Sequence, residues 1–309
     1  GRMIGLMSRL PVESGGATVN RLWGSSLQAL NQASHSIMAG FEDVQVIGGF
    51  EHMHHLPMDH GVDLNPKLFH RTSKGALLMG VTAEFLAQTQ DISREEQDQF
   101  ALRSHQRAAA AQAAGEFQSE LIPVYGRGED HHQFVRSDTS MAALGELNPA
   151  FMPKLGTVTA GNSSPLNDGA AAMLVMSSEK ADALGLKPIA KVVATAVAGV
   201  EPCVMGTGPV PATQKALKRA GLQLSDIDVI ELNEAFAAQS IACLRALQVD
   251  ADRVNVRGGA IAIGHPLGAS GARIATTLLH AMTARDATFG LATMCIGAGQ
   301  GIATIFERL

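Results

Sequence analysis

Cysteine is scarce in this chain of 309 residues: Cys203, Cys243 and Cys295 are the only three. An odd number without regular spacing argues against a disulfide framework and fits a reducing compartment. Aromatic residues make up only 4%, with 1 Trp and 1 Tyr, while Gly reaches 32. Packing therefore relies on small side chains, which suits close helix-on-sheet layers better than a β-sandwich. No basic cluster occurs and the net charge is −5, so there is no electrostatic footprint for nucleic acid or a membrane surface. No apolar run approaches the length needed to span a bilayer, and the first residues carry no apolar signal segment. The expectation is a cytoplasmic protein. What is present is ordinary globular material, 46% hydrophobic and 17% charged, enough for one large core or two smaller ones.

The first residue is Gly1, and Met3, Leu6, Met7 and Leu10 already have helical spacing. Two later segments resemble each other. Residues 17–26 lead into a helical stretch to Met38 and a strand-like run at 43–49; residues 253–256 lead through glycines to a helix ending near Met282 and a strand-like run at 289–295. Each reads strand, sharp turn, helix, strand, which suggests a duplicated plan. The apolar runs at 19–22, 44–48, 171–176, 227–232 and 290–294 are expected to be sheet strands. The C-terminal half has further strand and helix patterns before its copy of the turn; the N-terminal half has only a helix fragment there. Residues 51–155 read as an insertion with its own helices, one opened by a capping box at Ser93 and Glu96, followed by a charged loop over 126–140.

Four blocks carry chemistry. GHPLGASG (264–271) holds His265 in a glycine-bounded turn that opens a helix, and CIGAGQG (295–301) puts Cys295 at the end of a buried strand. The glycines after Cys295 let backbone N–H groups approach a ligand. NEAF (233–236) places Asn233 at a strand end, and VNRLWGSS (19–26) is a strand-to-helix turn. A nucleophile in that last turn would sit at a helix N-terminus, where a thiol is acidified and an anion stabilised. Singly, each has a plain structural explanation: an inert core cysteine, a structural histidine before proline, a tight glycine turn. Jointly, at strand ends of an α/β fold, they lie where ligands bind.

These blocks, with GGFEHM (48–53), MGVTAE (79–84), GTVTAGNSS-x-x-NDGAA (156–171) and GPVPA (208–212), resemble the thiolases over essentially the whole chain. The resemblance implies a thiolase-like five-layer α/β/α/β/α fold from two duplicated halves with a helical cap insertion. Residues 1–50 and 156–186 would form the N-terminal domain without its opening strand–helix–strand, 51–155 the cap, and 187–309 the C-terminal domain. It also implies an acyltransferase that splits 3-ketoacyl-CoA with a second CoA in fatty-acid β-oxidation, through an acylated cysteine. His265 would activate that nucleophile and Cys295 would shuttle a proton at the acetyl α-carbon. Asn233 would hold a water that completes one oxyanion hole with His265, and the backbone N–H groups of Gly297 and of the nucleophile position would form another. Ser164, Phe236 and Met79 would contact the CoA arm. CoA is the cosubstrate, with no bound cofactor or metal, and the implied partners are a second copy of the chain and a multifunctional β-oxidation α-subunit.

One departure bears on all of this: the position of the nucleophilic cysteine holds Trp23, whose donor-only indole cannot replace a thiolate. Two rival readings arise, a catalytically inactive acyl-CoA-binding subunit and a hydrolase that uses Cys295 as nucleophile. His52, His54, His55 and His60, with Glu51 and Asp59, match no tetrahedral zinc spacing, and His131 and His132 are expected to be solvated.

Overall fold

The computed structural model describes residues 1–124 and 132–309. The helices are α1 (Arg2–Met7), α2 (Ser25–Met38), α3 (Met79–Thr89), α4 (Arg94–Ala113), α5 (Met141–Gly145), α6 (Ser178–Ala183), α7 (Pro209–Ala220), α8 (Ala237–Leu247), α9 (Ala260–Ile263) and α10 (Ser270–Ala284). The strands are β1 (Val44–Glu51), β2 (Gly169–Met176), β3 (Ala190–Gly199), β4 (Val229–Leu232), β5 (Phe289–Ile296) and β6 (Gln300–Arg308). They form a two-stranded antiparallel sheet, β1–β2, and a four-stranded sheet in the order β3–β6–β5–β4, in which only β4 and β5 run parallel.

Local chemistry explains the element ends. The capping box opens α4 as expected: Ser93 Oγ accepts from the Glu96 N–H at 3.1 Å and Glu96 Oε2 accepts from the Ser93 N–H at 2.9 Å. α7 starts on Pro209 and ends at Gly221, whose φ of +69° suits a residue without Cβ. Two expected strands are absent. Residues 19–22 do not pair in a sheet, because Asn20 Oδ1 takes the Leu22 N–H at 2.9 Å and Leu22 turns the chain with φ +47°. Residues 253–256 give only an isolated bridge from Val254 to Ile230, since Asn255 also has a positive φ, +48°. The runs at 44–48, 171–176 and 290–294 lie in β1, β2 and β5, and β4 is the shorter Val229–Leu232. Of the charged loop expected at 126–140, residues 126–131 lie outside the described residues, His131 among them. His132 is not solvated: it is half-buried, with its ring edge-on to Phe117 at 4.7 Å.

Helices α2 and α10 fill the space between the two sheets. Leu27, Leu30, Ile274, Leu278 and Met282 pack there with Ile47 from one sheet and Met294, Ile296 and Ile302 from the other. The opposite face of the four-stranded sheet buries Ile230, Leu232, Leu291 and Ile305 against Ala212, Ala216 and Leu217 of α7 and Cys243 of α8. Sheet, helices, sheet, helices is the resulting order, and these are four of the five layers expected. The outer face of the two-stranded sheet leaves Val46, Phe50 and Leu174 exposed. In the insertion, α3 packs on α8 through Leu86, Ala87, Ala238 and Ala242, and α4 packs beside α8 and α9 through Phe100, Ala237 and Ile261.

The contact between α2 and α10 is backbone-close. A Cβ on Gly271 would collide with the Leu27 backbone nitrogen, and Ser26 Oγ accepts from the Ala272 N–H at 2.9 Å. Gly271→Ala should therefore cost about 2 kcal/mol, because a backbone atom cannot rotate away. Leu27→Ala should cost about 3 kcal/mol through the cavity it leaves. Urea titration monitored by Trp23 fluorescence measures both, and a Gly271→Ala variant as stable as its parent would disprove the close approach.

Candidate active site

Strands β4 and β5 run parallel and end side by side, so the residues beyond their C-terminal ends share one edge of the sheet. Asn233 comes directly after β4, with its N–H on the Thr293 carbonyl of β5 at 3.0 Å. Two residues further along β5 is Cys295, 3% exposed, packed with Met205, Ala235, Met79 and Phe236. Ser164 joins this wall through its backbone N–H, which donates to the Ala235 carbonyl at 3.0 Å.

His265 reaches the same edge from the turn before α10. Its Nε2 lies 3.3 Å from Asn233 Nδ2 and its Nδ1 2.5 Å from Ser270 Oγ. Ser270 Oγ donates to the Pro266 carbonyl at 3.0 Å, so it accepts from the imidazole. The proton is thereby placed on Nδ1, leaving Nε2 as a lone-pair acceptor for the Asn233 amide. Asn233 Oδ1 is buried and has no hydrogen-bond partner among the described residues. A buried acceptor of this kind calls for a water or a ligand group.

The turn itself is held from three sides. Asn167 Oδ1 accepts from the His265 N–H at 2.7 Å, Glu51 Oε2 accepts from the Gly268 N–H at 3.0 Å, and Gly264 adopts φ +102° against the Asn167 side chain. Behind Asn233, buried Glu234 accepts from Ser104 Oγ at 2.6 Å, Asn255 Nδ2 at 2.8 Å and the Ile261 N–H at 3.2 Å. That carboxyl ties β4 to α9 and so fixes the path into Gly264.

Trp23 and Gly297 meet on the far side of the β5 end. Trp23 is half-buried one residue before the N-cap of α2, and its ring packs against the core between the sheets. The space that a side chain on Gly297 would take is filled by that ring. Cys295 and Trp23 belong to different apolar clusters, on either side of the strand end.

Family comparison agrees with this arrangement. Residues 1–179 match the thiolase N-terminal domain and residues 186–308 the thiolase C-terminal domain. The chain belongs to the thiolase family. It is 55% identical to a 3-ketoacyl-CoA thiolase of Marinomonas sp. (strain MWYL1), across 100% of this chain and 81% of the relative. A 3-ketoacyl-CoA thiolase of Vibrio cholerae serotype O1 (strain ATCC 39541 / Classical Ogawa 395 / O395) is 56% identical across 99% of this chain and 82% of the relative. One from Shewanella sp. (strain ANA-3) is 54% identical across 100% and 82%.

In this thiolase the site is buried, and burial favours the neutral forms of its imidazole and thiol. Burial, with the positive charge of Arg273 adding to it, pushes His265 down to about 3, and burial pushes the Cys295 thiol up to about 12. Burial likewise raises Glu231 to about 8 although Arg273 Nη1 lies 3.7 Å from its Oε2. His52 and His54 are exposed, and both pair with Asp168, at 2.9 and 3.0 Å. Among the described residues no group of three or more His, Cys, Asp or Glu could hold a metal.

Sequence reasoning reached the motifs that contain Asn167, Glu234 and Ser270 but gave those residues no role. Their signal was present only as position in those motifs; the partners of Asn167 and Glu234 come from elsewhere in the chain, and that of Ser270 from its own turn.

The tautomer is testable by pH. Because the folded pKa of His265 is depressed below the ordinary histidine value, its neutrality destabilises the fold as pH falls from about 6.5 towards 3 and costs nothing above about 6.5. Nitrogen-15 NMR should find Nδ1 of His265 protonated and Nε2 bare at pH 5. Ser270→Ala should free the tautomer, and an imidazolium signal for His265 at pH 6 would contradict the assignment.

Proposed function

We propose that this chain carries the site of a 3-ketoacyl-CoA thiolase and binds CoA thioesters in it, but that Trp23 keeps it from forming the acyl-enzyme. The observation that carries the reading is the Asn233–His265 pair with its unpartnered, buried Asn233 Oδ1 beside Cys295. In thiolysis a cysteine attacks the keto carbon, acetyl-CoA leaves as its enolate, and a second CoA takes the acyl group. His265 Nε2, lacking a proton, is suited to take one from an attacking thiol and then to donate a hydrogen bond to the thioester oxygen. Asn233 would hold the water that shares that oxygen. Cys295, a neutral thiol in an apolar wall, would return a proton to the enolate carbon. The second oxyanion hole would use the backbone N–H groups of residue 23 and Gly297. Met79, Ser164 and Phe236 would line the path of the CoA arm.

Trp23 removes the nucleophile and fills the space over Gly297, which favours binding without turnover. A hydrolase built on Cys295 gains no support, because a buried thiol raised to about 12 is not a thiolate at neutral pH. The family likeness supports a cytoplasmic homodimer that works with a multifunctional β-oxidation α-subunit, and no described helix is long and apolar enough to cross a membrane.

Intact-mass analysis after incubation with a 3-ketoacyl-CoA tests the reading. The unmodified chain should gain no acyl mass, and its thiolysis should lie at least about a thousandfold below that of a family member carrying the cysteine. Trp23→Cys should gain one acyl group at position 23. An acyl adduct on Cys295 of the unmodified chain would overturn the assignment of roles.

A further inference from the structure

The turn that carries residue 23 and the glycine turn after Cys295 come from opposite ends of the chain, yet they share one polar tether. Arg21 Nη1 donates to Gln300 Oε1 at 2.9 Å, across 279 residues of sequence. The same carboxamide donates through Nε2 to the Gly297 carbonyl at 3.4 Å. Arg21 Nε is buried with no partner among the described residues. Gln300 is therefore the partner that anchors this guanidinium.

Both turns need holding. In the first, Leu22 has φ +47°, and Ser25 Oγ ties the turn together by accepting from the Arg21 N–H at 3.0 Å and donating to the Leu22 carbonyl at 2.5 Å. In the second, Ala298 has φ +61°, a left-handed conformation that a residue with a Cβ rarely adopts. The Gln300–Gly297 bond spans this left-handed residue and closes the loop around it. Local bonds shape each turn, but they leave the separation and orientation of the two turns free. Apolar packing of Trp23 and Gly24 on Gly297 and Ile296 presses them together without direction. A planar guanidinium meeting a planar carboxamide supplies the direction.

We propose that Arg21 and Gln300 are positioning residues: the chain Arg21 guanidinium, Gln300 carboxamide, Gly297 carbonyl sets the register of the two turns so that the N–H groups of residue 23 and Gly297 address one thioester oxygen. The part that concerns the thioester rests on the thiolase reading above; the tether itself does not. Gln300 is the pivot, because its two ends serve the two turns separately. Gln300→Glu keeps the acceptor for Arg21 and loses the donor for Gly297, and Gln300→Met loses both.

Trp23 is the only tryptophan, so its fluorescence reads this register directly in the protein as it stands. Losing a hydrogen bond to a charged group should shift the balance of docked and undocked ring about tenfold. Arg21→Met and Gln300→Met should therefore move Trp23 emission to the red and raise acrylamide quenching, with far-UV circular dichroism unchanged. Arg21→Lys should restore part of the shift. The second measurement uses Trp23→Cys as background, where Arg21→Met and Gln300→Met should each lower kcat about tenfold and leave KM near its parent value, as for an interaction made only in the transition state. Unchanged Trp23 emission and quenching in both Met variants would overturn the tether, whatever the activity. A fluorescence shift with kcat unaffected would uphold the tether and overturn its service to a thioester oxygen. Should one Met variant fail to fold, the other and Arg21→Lys still decide the question.

Discussion

The crossing of α2 and α10 is the constraint on which the rest depends. The two helices lie between the sheets, and their N-terminal turns are pinned together where Gly271 meets the Leu27 backbone and Ser26 Oγ takes the Ala272 N–H. One N-terminus comes just after Trp23 and Gly24; the other comes after His265 and carries Ser270, which fixes the imidazole tautomer. Bringing the helix starts into contact therefore brings the two chemical turns to one place, next to the ends of β4 and β5. Only glycine and serine are small enough at the crossing to allow so close an approach between the first forty residues and the last fifty.

The site that results is apolar and starved of charge. Its imidazole and thiol are both held neutral by burial, and the imidazole is held by Ser270, Asn233 and Asn167, with the carboxyls of Glu51 and Glu234 bracing the turn from behind. The indole at position 23 is accommodated by the apolar core between the sheets. Trp23 packs with Ile296 and Ile302, and Gly297 leaves room for its ring for the same reason that it would expose an N–H to a ligand: it has no Cβ.

Much of the architecture was legible in the chain. Continuous apolar runs bounded by glycine gave β1, β2 and β5, and the capping box gave the start of α4. The two failures share a cause. Residues 19–22 and 253–256 carry apolar side chains among polar ones and read as strands, but each contains a residue with positive φ, Leu22 or Asn255, and the side-chain pattern does not reveal the turn. His132 was misread because charge in its neighbourhood suggested solvent, whereas its ring is placed against Phe117 by the packing of a distant helix end.

Sequence by itself determined which chemical groups this protein has: His265, Cys295, Asn233, the glycine turns, and an indole at position 23. Those are statements of covalent identity, and periodicity and turn chemistry were enough to put each at the end of an element. Tertiary structure alone decided the partners. That Asn167 and Glu51 hold the turn around His265, that Arg21 finds Gln300 across the length of the chain, and that a thiol and an imidazole remain neutral all depend on contacts between segments far apart in sequence. Burial and hydrogen-bond geometry are properties of those contacts, and they exist only once the helices have crossed between the sheets.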